Sequence, residues 1–306
     1  MTTALFTHPD AERHITPPGH AEQVARHAAV LDALADLALD RREAPRADEA
    51  DILRCHPQSY LERIRAAVPE EGWQMLDADT HLSPGSLDAA LRGVGGAVAA
   101  VDAVLAREVA NAFVAMRPPG HHAERETPMG FCIFGNAAVG AMRALDHHGL
   151  DRVAVLDFDV HHGNGTQDLL WDEKRAFFAS SQQMPLYPGT GAASERGAHG
   201  QMVNVPLPPG SDGAAGRAAW RDILTRCRGF DPQLVIVSAG FDAHAADPLA
   251  QLNWDEGDFA AITRMICDMA ADLSAPVVSC LEGGYDLAAL GRSARAHVQV
   301  LLEAQE

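Results

Sequence analysis

The 306-residue chain has no run of about 18 consecutive apolar residues, so nothing in it reads as a membrane span. Its N-terminus, MTTALFTHPDAERH, lacks a basic segment followed by an apolar core, which excludes a secretory signal and makes the cytoplasm the expected compartment. Cysteine is sparse: Cys55, Cys132, Cys227, Cys267 and Cys280 are odd in number, widely spaced and free of any C-x-x-C pair. That pattern argues against a disulfide framework and against a thiolate zinc site. Basic charge is short as well. The formal net charge of −18 speaks against a nucleic-acid partner, which is gripped by clustered Lys and Arg. It leaves room for cationic small molecules or basic peptides.

What is present is ordinary for a globular protein, with 47% apolar and 22% charged residues. Short β-type runs at 4–7, 112–116, 153–156, 234–238 and 277–280 alternate with helical patterns around 21–39, 86–106, 136–148, 212–228, 256–273 and 287–302. Strands separated by helices imply crossover units and a mainly parallel sheet. The runs VAVL and LVIV are apolar on both faces, as expected of strands covered on each side. The expected fold is therefore α/β, one domain over 1–306, with a central, mainly parallel sheet and helices on both faces. The Pro- and Gly-rich stretches 180–200 and 206–213 read as long loops.

Four of the apolar runs lead straight into polar clusters: RPPGHH (117–122), DFDVHHGNG (157–165), FDAH (241–244) and LEGGY (281–285). Open parallel sheets bind ligands beyond the carboxyl ends of their strands, so these clusters converge on one edge. If the strand continues through 157–161, Asp157, Asp159 and His161 share one face and Phe158 and Val160 the other. Ionisable groups crowded on a buried face need pairing or a cation. A carboxylate, an imidazole and a second carboxylate from Asp242 make a three-ligand set with an open position, the pattern of a catalytic metal. The adjacent pair His121-His122 suits proton transfer near neutral pH. Tyr285, after two glycines, can donate to a developing oxyanion. A second pair, His147-His148, precedes Gly149 at the end of a helical pattern. A cationic helix C-terminus with a glycine cap accounts for it, and neither it nor His199 is expected in a site. Cys132 and Cys280 are expected in the core.

The motifs RPPGHH, GFCIFGNAA, DFDVHHGNGTQ, YPGTG, SAGFDAHAADPL and LEGGY, with HITPPGHAEQ (14–23) and SPGSLDAAL (83–91), resemble in order and spacing the histone deacetylase and acetylpolyamine amidohydrolase superfamily, in particular its class II-like bacterial members. The resemblance runs over about residues 10–300. It implies an arginase–deacetylase fold and a zinc-dependent amidohydrolase that removes acetyl groups from acetyl-lysine or acetylpolyamines. Asp159, His161 and Asp242 are then the metal ligands, with Fe²⁺ or Co²⁺ compatible with the same donors. His122 is the base and acid, His121 its electrostatic partner oriented by Asp157, Asn164 the group behind His122, and Tyr285 the carbonyl-polarising donor. Gly130, Phe131, Tyr187, Leu249 and Gly283 are implied substrate contacts. Asp157, Asp159, His161, Ser180 and Ser181 are implied to hold a structural K⁺ or Na⁺. The resemblance allows a homo-oligomer. Three departures stand out: Asn164 where some members have Asp, Gln182 where many have His, and an altered mouth loop at 17–23. An arginase-like dinuclear manganese hydrolase and a non-catalytic binder of acylated ligands are the alternatives. The first would need further carboxylates where His121-His122 stand, and the second is disfavoured by the presence of both His122 and Tyr285.

Overall fold

The structure is a computed structural model and describes residues 1–304. Its strands are β1 (Thr3–Thr7), β2 (Asp40–Glu43), β3 (Gln74–Met75), β4 (His81–Leu82), β5 (Asn111–Val114), β6 (Val153–Asp157), β7 (Ala176–Gln183), β8 (Met202–Leu207), β9 (Leu234–Ala239) and β10 (Val277–Leu281). Its α-helices are α1 (Ala25–Ala33), α2 (Glu49–Ile52), α3 (Gln58–Ala67), α4 (Ser86–Leu105), α5 (Asn136–Asp146), α6 (Asn164–Leu169), α7 (Gly213–Phe230), α8 (Glu256–Asp272) and α9 (Leu287–Glu303). Eight strands form one sheet in the order β2-β1-β5-β10-β9-β6-β7-β8, and every neighbouring pair is parallel. β3 and β4 make a separate antiparallel hairpin.

Alternation along each strand splits the apolar side chains between two cores. Ala4, Phe6, Val153, Val155 and Ile236 pack with Val94 and Val101 of α4 and Val139 of α5. Leu5, Ala154, Leu156, Val235 and Val237 pack on the other face with Trp220 of α7, Phe259 of α8 and Val298 of α9. The sheet thus has helices on both sides, as the sequence predicts. Among the described residues no helix is long and apolar enough to cross a membrane.

The structure corrects the element list in several places. Residues 180–183, read as loop, are the second half of β7, and 206–207 belong to β8. The polar run SSQQ hides this strand, because four polar side chains are buried where a central strand is expected to carry apolar ones. β2 reads Asp-Arg-Arg-Glu, an edge strand with no apolar alternation to announce it. The helix expected over 21–39 is confined to Ala25–Ala33, since the preceding turn draws Glu22 inward to meet Arg26 and Arg117. The Asn-Gly pair at 164–165 opens α6, a short helix absent from the sequence pattern.

Candidate active site

The four central strands β5, β10, β9 and β6 are adjacent, and their carboxyl ends carry the four polar clusters to one edge. β6 ends at Asp157, but the alternation persists beyond it: Phe158 and Val160 sit in the apolar core, while Asp157, Asp159 and His161 are buried on the polar side. The peptide N–H groups around them fix the carboxylates. Those of His161 and Gly283 donate to Asp159 at 2.9 Å each, and that of Val160 donates to Asp242 Oδ1 at 2.9 Å. His161 Nδ1 then lies 3.1 Å from both Asp159 Oδ1 and Asp242 Oδ2.

One ligand atom from each of Asp159, His161 and Asp242 falls within 4.8 Å of the others. Burial by itself would lower the His161 pKa, yet its hydrogen bonds to the two carboxylates push it up to about 10. The site therefore demands a positive charge between its carboxylates, either a proton on His161 or a cation. A buried O/N/O donor set with this electrostatic demand fits a divalent ion such as Zn²⁺, and equally Fe²⁺ or Co²⁺.

The histidine pair stands beside these groups with ring centroids 4.0 Å apart. Its members have opposite electrostatics. His121 Nδ1 is 3.0 Å from Asp157 Oδ2; burial works against its charged form, but Asp159 and Asp157 outweigh it and hold the pKa well above 6.5. His122 Nδ1 is 2.7 Å from Asn164 Oδ1, a neutral partner. Burial, then the charges on His121 and His161, hold its pKa well below 6.5, so His122 is the neutral ring of the pair. Tyr285 is buried beside Asp242, and both the burial and that charge raise its pKa well above 10, keeping the phenol a proton donor.

A cavity of about 250 Å³ is lined by His122, His161 and Tyr285 together with Asp79, Gly130, Phe131, Leu186, Tyr187 and Leu249. Gly130 has φ +54°, and a Cβ there would lie 2.4 Å from His122 Cδ2, so only glycine lets the wall approach the base this closely. Phe131 holds φ +69° and meets Tyr285 edge-on at 5.6 Å. Tyr187 faces the edge of His122 at 5.2 Å. The altered mouth loop, through Pro17 and His20, borders a wider hollow of about 620 Å³ that shares Leu249 and Tyr285 with the first.

Residues 20–301 match the Histone deacetylase domain family. The chain belongs to that family. It is 42% identical over 284 residues to the histone deacetylase-like amidohydrolase of Pseudomonas aeruginosa, covering 89% of this chain and 74% of that protein. Identity to a probable deacetylase of Archaeoglobus fulgidus is 35% over 298 residues, covering 94% and 82%. Among solved structures, the HDA15 HD domain superposes with a TM-score of 0.92 at 30% identity, covering 98% of this chain and 90% of that one. As a histone deacetylase-family protein the chain is a hydrolase of the deacetylase and amidohydrolase type, on the arginase–deacetylase fold.

Within this deacetylase-family site most of the expected residues meet. Two sit differently. Gly283 is not on the cavity wall; its N–H is committed to Asp159, and a Cβ there would lie 2.1 Å from Asp242 Oδ2. Ser181 accepts a hydrogen bond from Trp220 Nε1 at 3.0 Å, on the face opposite Ser180, so its hydroxyl is turned away from that side of the strand. Ser180 Oγ is buried with no partner, the kind of orphaned oxygen a monovalent ion would satisfy. His147 and His148 are exposed at the end of α5, with His148 Nε2 2.7 Å from Asp102, and His199 Nε2 reaches the Asp172 carbonyl. All five cysteines are free and buried.

Sequence reasoning missed several contributors. Asp79 Oδ1 and Thr80 Oγ1, on the turn between β3 and β4, accept the N–H groups of Gly130 and Phe131 at 3.1 and 3.0 Å and so set that cavity wall. Glu282 Oε2 accepts the N–H groups of Gly120 and His121 at 2.7 and 3.1 Å, clamping the histidine pair to β10. Arg26 donates to the carbonyls of Gly284 and Glu282 and lies 5.0 Å from the Tyr285 ring centroid, while Glu22 joins it to Arg117. Asp247 accepts the N–H groups of Tyr285 and Leu249 at 2.7 and 3.0 Å. Glu282 and Asp247 lie inside the quoted motifs, so a signal for both existed.

Proposed function

We propose that this histone deacetylase-family chain acts, over residues 1–306 as one catalytic domain, as a metal-dependent amidohydrolase that removes acetyl groups from acetylated amines, with zinc as the metal. The observation that carries the reading is that His122, whose surroundings favour its neutral form, and Tyr285, whose surroundings hold its proton, line the same cavity as His161, whose imidazole stands with Asp159 and Asp242 in the candidate ligand set. A divalent ion held by Asp159, His161 and Asp242 would supply Lewis acidity and bring the pKa of water from about 15.7 to near 7.

The chain's own residues do the rest. His122, with Asn164 against Nδ1, presents Nε2 as the base that takes a proton from the attacking water and returns it to the departing amine. His121, charged and held by Asp157, adds a fixed positive charge beside it. Tyr285 donates its hydroxyl proton in a hydrogen bond to the acyl oxygen as negative charge develops there. Gly130, Phe131, Tyr187 and Leu249 enclose the aliphatic stem between the acyl group and the rest of the amine. Water and the amide become acetate and a free amine. Asp157, Asp159, His161, Ser180 and the Ser181 backbone would hold a K⁺ or Na⁺ that braces the ligand strand, a reading supported by the unpartnered Ser180 hydroxyl.

The test is acetate release from an acetyl-lysine peptide and an N-acetylated polyamine, each with and without a chelator and beside Tyr285→Phe. Cleavage of either substrate that is lost on chelation and falls about 10²–10³-fold in the Tyr285 variant is the expected outcome. Cleavage of neither substrate by metal-replete protein would overturn the proposal.

A further inference from the structure

We propose that Glu124 is a positioning residue that fixes which nitrogen of His122 carries the proton, acting through the side-chain amide of Asn164; this rests on the reading of His122 as the base. Glu124 Oε1 lies 2.8 Å from Asn164 Nδ2, and Asn164 Oδ1 lies 2.7 Å from His122 Nδ1. A carboxylate can only accept, so the edge of the amide facing Glu124 is its NH₂ group. The carbonyl edge is thereby turned to His122. A carbonyl also only accepts, so the proton of the neutral ring sits on Nδ1 and the lone pair of Nε2 is left free.

Asn164 does not fix this by itself. A primary amide has nearly the same shape when rotated by half a turn, and the rotated form would offer NH₂ to Nδ1 and drive the proton to Nε2, where the ring no longer accepts. The main chain does not decide between the two. Asn164 N–H donates to the His162 carbonyl at 2.8 Å, and Gly165 packs so tightly that a Cβ would lie 2.4 Å from the Ala123 carbonyl oxygen. These contacts bring the start of α6 against residues 122–124 without choosing an amide orientation. Met129 Sδ, 3.3 Å from Asn164 Nδ2, is a weak acceptor that reinforces Glu124. The neighbouring pair needs no such device. Asp157, behind His121, accepts on either oxygen, so its rotation changes nothing.

The test combines Glu124→Gln with Asn164→Asp. The glutamine introduced by Glu124→Gln can turn either edge of its own amide to Asn164 and no longer dictates the orientation. NMR of metal-loaded protein labelled with ¹⁵N at histidine reads the tautomer directly: Nδ1 protonated at His122 in the parent and a shift toward Nε2–H in Glu124→Gln. A wholly wrong tautomer costs about 10⁴-fold in a serine-protease triad, so partial loss of control here lowers kcat on the order of tenfold with KM unchanged. In the Asn164→Asp background Glu124→Gln causes no loss of kcat, because a carboxylate at 164 accepts on both edges and the change only relieves its repulsion with the facing carboxylate of Glu124. Two results overturn the proposal: Nδ1 still fully protonated in Glu124→Gln, or an equal loss of kcat with Asn and with Asp at 164, which marks a merely structural role. If the parent protein cleaves no acetylated amine, the functional reading fails, while the tautomer measurement still decides the role of Glu124.

Discussion

Two of the three histidine pairs in this chain, at 121–122 and 147–148, share one dipeptide and little else. His121-His122 follows β5, buried at the carboxyl edge of the sheet, with a carboxylate behind one ring and an amide behind the other. His147-His148 closes α5 in solvent, and one of its rings simply pairs with Asp102 on α4. The first pair is forced apart electrically, one ring charged and one neutral, because both are stripped of water beside Asp157, Asp159 and His161. The second pair is screened by solvent. Burial and the identity of the group behind each ring create a base from a histidine; adjacency does not.

The contrast can be broken most directly by truncation. His122→Ala is expected to lower kcat by about 10²–10⁴-fold with substrate still bound, whereas His148→Ala leaves turnover at the parental rate, both read by steady-state acetate release. A large loss in both would mean the two regions are not distinct.

The supports behind the pairs differ in the same direction. Glu282→Ala leaves two buried N–H groups of the histidine loop without an acceptor and is expected to cost about 2–4 kcal/mol of folding stability. Asp102→Ala removes a partly exposed carboxylate that pairs with His148 and, through both oxygens, with Arg143, and costs about 1 kcal/mol. Urea unfolding of both variants measures the difference.

A smaller, pH-dependent effect separates buried from exposed imidazoles. His297 is buried between Thr263 and Ser279, and desolvation pulls its pKa down to about 3. The unfolded chain takes up a proton below about 6.5 that the folded state refuses, so stability is lost as pH falls through this window, by about 1.4 kcal/mol per unit from this one residue. His297→Gln is therefore expected to show a shallower loss between about pH 6 and 4 than the parent protein. An unchanged slope would mean His297 charges freely in the folded state.

Much of the fold and the centre of the site were legible because strand runs such as VAVL end abruptly in ionisable residues, and burial makes that transition chemically expensive unless it is used. What stayed hidden was hidden for physical reasons. The end of β7 buries Ser180 and Gln182, polar side chains that no apolar pattern announces, and β2 carries charge because it is an edge. Asp79 and Thr80 reach the cavity through bonds to the backbone of Gly130 and Phe131, about fifty residues away, and no local pattern encodes such a partner. Glu22 and Arg117 lie inside quoted motifs, but only the fold brings them together with Arg26 as a fully buried charge cluster behind Tyr285.

The central claim is that Asp159, His161 and Asp242 form one divalent-metal site. Zinc titration of metal-free protein by calorimetry, with buffers of different ionisation enthalpy, tests it. About one ion should bind per chain, with release of about one proton at neutral pH as the charge on His161 gives way to the metal, and Asp242→Asn should weaken binding severely. Stoichiometric binding that Asp242→Asn leaves untouched, or no binding by the parent protein, would contradict the account.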